Sequence, residues 1–207
     1  MDWFRRKNWT EKDEEEFFAK LNRARKDGRP QYLKIQGIEL IETKDKKLLD
    51  VAERLLNKVL DDYPDDNFNK SSTLHSLGVI YKLRNDLDKA LHYYKESLDF
   101  EKIYPNVITQ SYIDFSELVV KTKKEEYYDY VEDILEKKFP FESFPVSKYK
   151  IALLLAYLNK VKNHDKKTKH YLDIAEENAN AETSGLRYHK HLGLVKERNS
   201  WLEKLLR

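Results

Sequence analysis

The sequence predicts an all-α fold assembled from repeated helix pairs. Three observations lead there. Apolar residues recur at helical spacing from Phe17 to Ala179. A helix–turn–helix pattern returns four times, from points near residues 33, 71, 109 and 149, at steps of 38, 38 and 40 residues. The 207 residues include only 5 Gly and 5 Pro, which leaves little material for long loops. Composition agrees: charged residues are 37% of the chain, well above the usual quarter, as a thin and surface-rich helical array requires, and 40% apolar residues suffice for a core.

Taken in order, the first element is a helix over residues 11–26. Thr10 is placed to accept a backbone N–H, and Asp13 to Glu16 put negative charge at the positive end of the helix dipole. Phe17, Phe18, Leu21 and Ala24 share its inner face, and Asp27-Gly28-Arg29-Pro30 is expected to end it, with Gly28 left-handed. The first pair covers 31–64, with helices over 31–42 and 47–63. Tyr32, Ile35, Ile38 and Ile41 make the first helix amphipathic. Gly37 permits a close approach, and Ala52, Leu56 and Val59 mark the second helix. The acidic loop from Asp61 to Asn67 lacks the spaced ligands and bidentate Glu of a calcium loop.

The second pair, 71–105, is the clearest. Leu74, Leu77 and Tyr81 form one apolar stripe; Gly78 and Ala90 remove side chains where two helices must approach closely. In the third pair, 107–140, Tyr112, Phe115, Ser116 and Val119 repeat the first-helix pattern with Ser in place of Gly. Its second helix, over 125–138, turns Tyr128, Val131 and Leu135 inward, and Glu132 stands where an aromatic is expected. Phe139 to Pro145 is the longest interruption. The fourth pair, 146–179, has helices over 146–161 and 165–179. Beyond Ala181 the pattern stops: 183–195 reads as an ordered loop or short extended segment. Asn199 or Ser200 is placed to cap a final helix over 201–207, which would cover the end of the array.

The run Leu74-His75-Ser76-Leu77-Gly78-Val79-Ile80-Tyr81, followed by Ala90, Tyr94 and Ser97 at their spacing, resembles the tetratricopeptide repeat. The resemblance covers about 150 residues, with one good copy and three degenerate ones at steps longer than the standard ~34. The aromatic, basic start and the tail with Arg187-Tyr188-His189 and Leu192-Gly193-Leu194 also resemble uncharacterised bacterial repeat proteins. The repeat resemblance implies a right-handed α-solenoid, a single domain over 1–207, and a non-catalytic scaffold that binds another protein or peptide. In this family the first helix of each pair lines a concave groove. The exposed side of those helices here carries Lys34, Ile41, His75, Val79, Lys82, Ile113, Glu117, Lys121, Lys150, Tyr157 and Lys160. Lysine outnumbers acid, so the expected partner presents acidic groups. Family members that clamp a terminal carboxylate use Lys and Asn at such positions; this chain has the Lys and not the Asn. An alternative within the same resemblance is a bacterial binder that neutralises a toxin or escorts a secreted protein.

Other functions find less in the residues. The chain has no cysteine, which excludes disulfides and thiol catalysis and fits a reducing, cytoplasmic setting. No phosphate-binding Gly-rich loop or nucleophile–base arrangement is present, and the paired carboxylates lie on solvated helical faces, so neither an enzyme nor a cofactor is expected. No window nears the ~20 apolar residues of a membrane span, and no membrane partner is expected. The net charge of +2 does not by itself indicate nucleic acid. Its distribution is uneven: 18 basic and 24 acidic groups in 27–145, against 13 and 7 in 146–207.

Two terminal segments stand out. Trp3, Phe4 and Trp9, interleaved with Arg5, Arg6 and Lys7, could serve single-stranded nucleic acid, but are read as folded back onto the first helices. Arg187, Tyr188, His189, Lys190 and His191 form a basic aromatic cluster suited to an acidic group or phosphate. It is read as docked onto the acidic middle of the chain. In an extended segment His189 and His191 would point the same way and could share a metal, but no third ligand is evident, and no metal site is assigned.

Overall fold

In the computed structural model, which describes residues 2–207 apart from the Ser200 side chain, the regular structure of the described residues is helical throughout, without strands. The helices are α1 (Glu11–Arg23), α2 (Arg29–Ile41), α3 (Lys46–Asp62), α4 (Lys70–Leu83), α5 (Leu87–Ile103), α6 (Ser111–Thr122), α7 (Tyr128–Lys138), α8 (Pro145–Val161), α9 (Asp165–Ala179) and α10 (Ser200–Leu206). Single 3-10 turns precede α2 and α7 and follow α7. The chain forms two compact units, Met1–Ser111 and Tyr112–Arg207.

In the first unit α1 begins as its sequence requires. The Thr10 hydroxyl accepts from the Asp13 N–H, and the Asp13 carboxylate accepts from the Thr10 N–H, a reciprocal cap. The helix stops three residues before the expected end. Ala24 turns extended, and the Arg29 guanidinium takes the freed carbonyls of Asn22 (2.7 Å) and Ala24 (3.1 Å). Gly28 has φ −87°, so it is not a left-handed terminator. Gly28-Arg29-Pro30 starts α2 instead. Pro30 sits in the first turn, where its missing N–H has no helical partner to lose.

The residues before α1 fold over α1 and α2. Trp3 packs on Phe17 (5.2 Å) and Tyr32 (5.0 Å), and Trp9 on Phe17 (5.3 Å). Gln36, fully buried, exchanges two hydrogen bonds with the Arg6 backbone at 3.0 and 2.8 Å, which satisfies an amide that burial would otherwise penalise. Arg6 closes the segment by pairing with Asp13 and with Glu16. The aromatic start is therefore core material.

Three helix pairs are joined by short turns and pack closely along their length: α2 with α3, α4 with α5, α8 with α9. Helices joined so tightly run antiparallel. The α2–α3 face is sealed by Leu33, Leu40, Leu49, Leu55, Leu56 and Val59, each under 3% exposed. Burying such a side chain contributes ~1.5–3 kcal/mol. The α4–α5 pair turns on one contact. A Cβ built on Gly78 would lie 2.5 Å from Cδ1 of Tyr94, so the ring occupies the space where any other residue would put its side chain. Ala90, fully buried, keeps the opposing helix small. Gly37 does the same against Leu56 at 3.0 Å.

Four of the turns between helices carry one non-glycine residue in the left-handed region: Lys44, Asn85, Lys123 and Asn163, with φ between 53° and 61°. The geometry behind three of them is shared. After α4, the Asn85 N–H bonds to Lys82 O and the Asp86 N–H to Tyr81 O. After α6, Lys123 bonds to Val120 O and Lys124 to Val119 O. After α8, Asn163 bonds to Lys160 O and His164 to Asn159 O. This paired closure satisfies the last carbonyls of one helix and reverses the chain. Asp45 and Asp86 then cap the following helices.

A buried polar knot ties α4, α5 and the stretch before α6. One oxygen of Glu101, a residue 7% exposed, accepts from Ser71 (2.8 Å) and from the Thr109 N–H (2.9 Å) and hydroxyl (2.7 Å). Ser97 joins Ser71 and Ser111 in the same knot.

In the second unit α8 is buried along most of its length, from Tyr149 to Leu158. Phe115 of α6 sets its ring edge-on to Tyr127 and Tyr130. Tyr128, Val131 and Leu135 of α7 are buried as the sequence predicts. Glu132 does not fill an aromatic position. It faces polar partners, Lys162 at 2.5 Å and Asn159 at 3.1 Å.

Candidate functional site

Besides Ile41, which lies in the first unit, ten expected groove residues divide between the two units. Lys34, His75, Val79 and Lys82 lie in the first and the other six in the second. On α2, Lys34 is half-buried, 5.9 Å above the Phe68 ring. Desolvation lowers its ammonium pKa from the ordinary lysine value, against the opposing pull of Asp66. On α4, His75 lies half-buried beside the Tyr94 ring at 5.4 Å. Val79 packs against the core that contains Leu77 and Ile80. Lys82 is half-buried one turn further on.

The second unit corrects several assignments. Ile113 is 3% exposed, and Ile41 of the first unit 8%, so neither presents an apolar anchor to a ligand. A helical wheel drawn without neighbours does not show the packing that covers them. Glu117 and Lys150 pair with one another at 3.5 Å, and Glu117 also accepts from Asn199 at 3.3 Å. Lys160 donates to the carbonyls of Leu205 (3.2 Å) and Leu206 (2.8 Å), the C-terminal end of α10. There a cation meets the negative end of the helix dipole. Tyr157 stands edge-on to Tyr128, the two hydroxyls 3.5 Å apart. Burial and that hydroxyl push the Tyr128 phenol up. Lys121 is exposed.

What the sequence assigned to a ligand is thus partly taken by the chain's own C-terminal segment. The Tyr149 hydroxyl accepts from the Asn199 N–H (2.7 Å) and donates to Glu203 (2.8 Å). Arg198 bridges Glu176 (2.5 Å) and Glu203 (2.7 Å). That guanidinium, with Asn180, holds Glu176 down to about 2. Leu202 is fully buried.

The 187–191 cluster is also placed differently from expectation. His189 and His191 lie in a succession of turns and not in an extended strand, so the alternation that would aim both rings at one metal is absent. No group of three His, Cys, Asp or Glu side chains with metal-holding geometry occurs among the described residues. Arg187, Tyr188, His189, Lys190 and His191 are all exposed. The contacts of their side chains are local, Arg187 lying over the Tyr188 ring at 5.3 Å. The anticipated docking of this cluster onto acidic helices is not what holds the tail; Arg198, Tyr149 and Leu202 do that.

A cleft of about 810 Å³ opens between α1 and α3, lined by Phe18, Asn22, Asp50, Glu53, Asn57 and Asp61 among others. None of the ten expected residues lines it. Its charges are largely matched within the fold: Arg54 with Glu14, Lys58 with Asp62, and Arg84 with Asp50 and Glu53, each at 2.5 Å.

Two features escaped sequence reasoning. The exposed Phe141 and Leu192 look apolar enough for a core in sequence. The left-handed turn residues had a faint signal, an Asn or Lys placed one residue before a helix-capping position at Asn85-Asp86 and Lys44-Asp45. No family model, no curated protein and no solved structure matches this chain. Among the described residues no helix is long and apolar enough to cross a membrane.

Proposed function

We propose that this chain is a tetratricopeptide-like helical-repeat scaffold, without catalytic function, that binds a partner protein or peptide carrying acidic groups. The observation that carries the reading is the recurring helix pair. Left-handed turns close successive pairs at Lys44, Asn85, Lys123 and Asn163, and the best-matched pair is held by the Gly78–Tyr94 approach. A unit repeated at this interval cannot bury its apolar face alone and stacks on its neighbours, which creates extended binding faces. Each unit has its own candidate face on the first helices of its pairs: Lys34, His75, Val79 and Lys82 in the first, and Lys121 and Tyr157 in the second. Ile113 is dropped from the second, and Glu117, Lys150 and Lys160 serve the fold.

The test begins with affinity capture from a source lysate and identification of the bound protein. Surface plasmon resonance then follows that partner against Lys82→Glu with Lys121→Glu, and separately against Tyr157→Ala. Charge reversal is expected to slow association and to change its salt response. Loss of the ring is expected to speed dissociation. Unchanged kinetics in both variants, with helicity intact, would remove these faces from the reading.

A further inference from the structure

We propose that the loop between α9 and α10 is a docking surface for an acidic polypeptide segment that carries apolar side chains. This inference stands apart from the first-helix faces and concerns other residues.

Four observations converge on it. First, the loop is built, not loose. The Ser184 N–H donates to Lys190 O at 2.7 Å and its hydroxyl to His189 O at 2.9 Å, so the chain closes on itself. Second, the loop is fixed to a helix. The Val146 N–H in the first turn of α8 donates to Gly193 O at 2.8 Å. Gly193 has φ +73°, and Phe144 fills the space beside it, its Cγ 2.7 Å from where a Cβ would stand. Only glycine combines that conformation with that contact.

Third, large apolar groups face solvent on the two segments joined by this contact. Tyr188 is 81% exposed, Leu192 55%, and Phe141, three residues before Phe144, 84%. Fourth, the cations of the loop differ from those that form ion pairs elsewhere on the chain. Arg54, Arg84, Lys95, Lys137, Lys162 and Arg198 each reach a carboxylate at 2.5–2.8 Å. Arg187, His189, Lys190 and His191 make no ion pair among the described residues.

Exposed aromatics beside unpaired cations have the composition of an interface core, where Tyr and Arg supply most of the binding energy. Arg187 is already ordered over Tyr188, which lowers the entropic cost of engaging a carboxylate. Charge complementarity selects an acidic partner, and Phe141, Tyr188 and Leu192 select apolar side chains within it. Nucleic acid fits less well. The whole chain is only +2, with a pI near 8.4, short of the broad basic field that phosphate backbones require.

Fluorescence anisotropy on the full chain tests this with four labelled probes. These are a short synthetic Asp/Glu peptide containing Leu and Phe, the same peptide with Ser for Leu and Phe, its Lys-for-acid counterpart, and a single-stranded RNA. Saturable binding is expected for the first probe, at least about tenfold weaker binding for the second, and none for the third. Arg187→Glu with Lys190→Glu, and independently Tyr188→Ala, are each expected to weaken the first probe by about tenfold or more. Lys20→Glu with Lys46→Glu, exposed cations outside both candidate surfaces, should leave it unchanged. The substituted side chains are exposed, and circular dichroism verifies that each variant keeps its helices. Absence of saturable binding, equal loss in the variant with Lys20→Glu and Lys46→Glu, or tighter binding of the RNA with a steep salt dependence would each overturn the proposal.

Discussion

At the scale of single residues, Gly78 shows how one missing side chain sets the distance between two helices. Tyr94 fills the vacated space, with its Cδ1 2.5 Å from the position of an added Cβ. Gly78→Leu is therefore expected to destabilise the chain by roughly 2–4 kcal/mol through overpacking. Urea titration measures it; a midpoint shift equivalent to less than ~0.5 kcal/mol would mean that the ring moves aside freely. Glu14 provides a second residue-scale test. Its hydrogen bond to Arg54, helped by the Trp9 indole N–H, holds the carboxyl down to about 2 despite partial burial. A carboxylate depressed in the folded state adds stability above its unfolded pKa, and loses it as pH falls through the folded one. Comparison of thermal melts of the natural chain with Glu14→Gln should show a constant gap from neutral pH to about 4.5, closing toward pH 2. The partners are part-exposed, so the gap itself is small. A gap independent of pH would show that the pair does not act through charge. Gly78 was legible in the sequence because Leu-Gly and Ala sit at repeat spacing. The Glu14–Arg54 tie was not, since its partners lie 40 residues apart on different helices.

At the scale of elements, most helix bounds lie within two residues of those the sequence predicts; the end of α1 and the start of α7 each differ by three. Thr10 and Asp86 announce starts by side-chain chemistry that acts within three residues. The end of α1 depends on Arg29, six residues beyond it, whose guanidinium takes the carbonyls that the helix releases. For the same reason Gly28 and Pro30, read as a stop, belong to the start of α2. The turns between paired helices offer a direct measurement. Lys123 holds φ 53°, a conformation that costs an L-residue ~1–2 kcal/mol and glycine little. Lys123→Gly should raise stability by about 0.5 kcal/mol, the relieved strain exceeding the entropy that glycine adds to the unfolded chain. Chemical denaturation decides; a loss of stability would show that the lysine side chain makes a contribution the turn needs.

At the scale of the whole molecule, the charge asymmetry and the apolar pattern lead to different outcomes. The all-helical class and the inner face of α7 follow from a pattern in which apolar residues recur three or four positions apart; α8 departs from it, its run from Ile151 to Ala156 being buried throughout. That pattern is local, so a single chain displays it, and the inward Tyr128, Val131 and Leu135 were all placed correctly. The candidate site was legible only in outline. A helical wheel gives the direction of a side chain but not what another segment brings to meet it. Lys160 points outward as expected and meets the carbonyl end of α10. Lys150 finds Glu117, and Ile113 is covered. The Arg187–His191 cluster, read as docked, remains open because Arg198, Tyr149 and Leu202 secure the tail without it. By itself, then, the sequence determined the helices, their order and their inner faces, since these rest on periodicity and caps within a few residues. Only the tertiary structure decided which outward residues stay available to a partner, because exposure is set by segments up to 82 residues apart, as between Glu117 and Asn199.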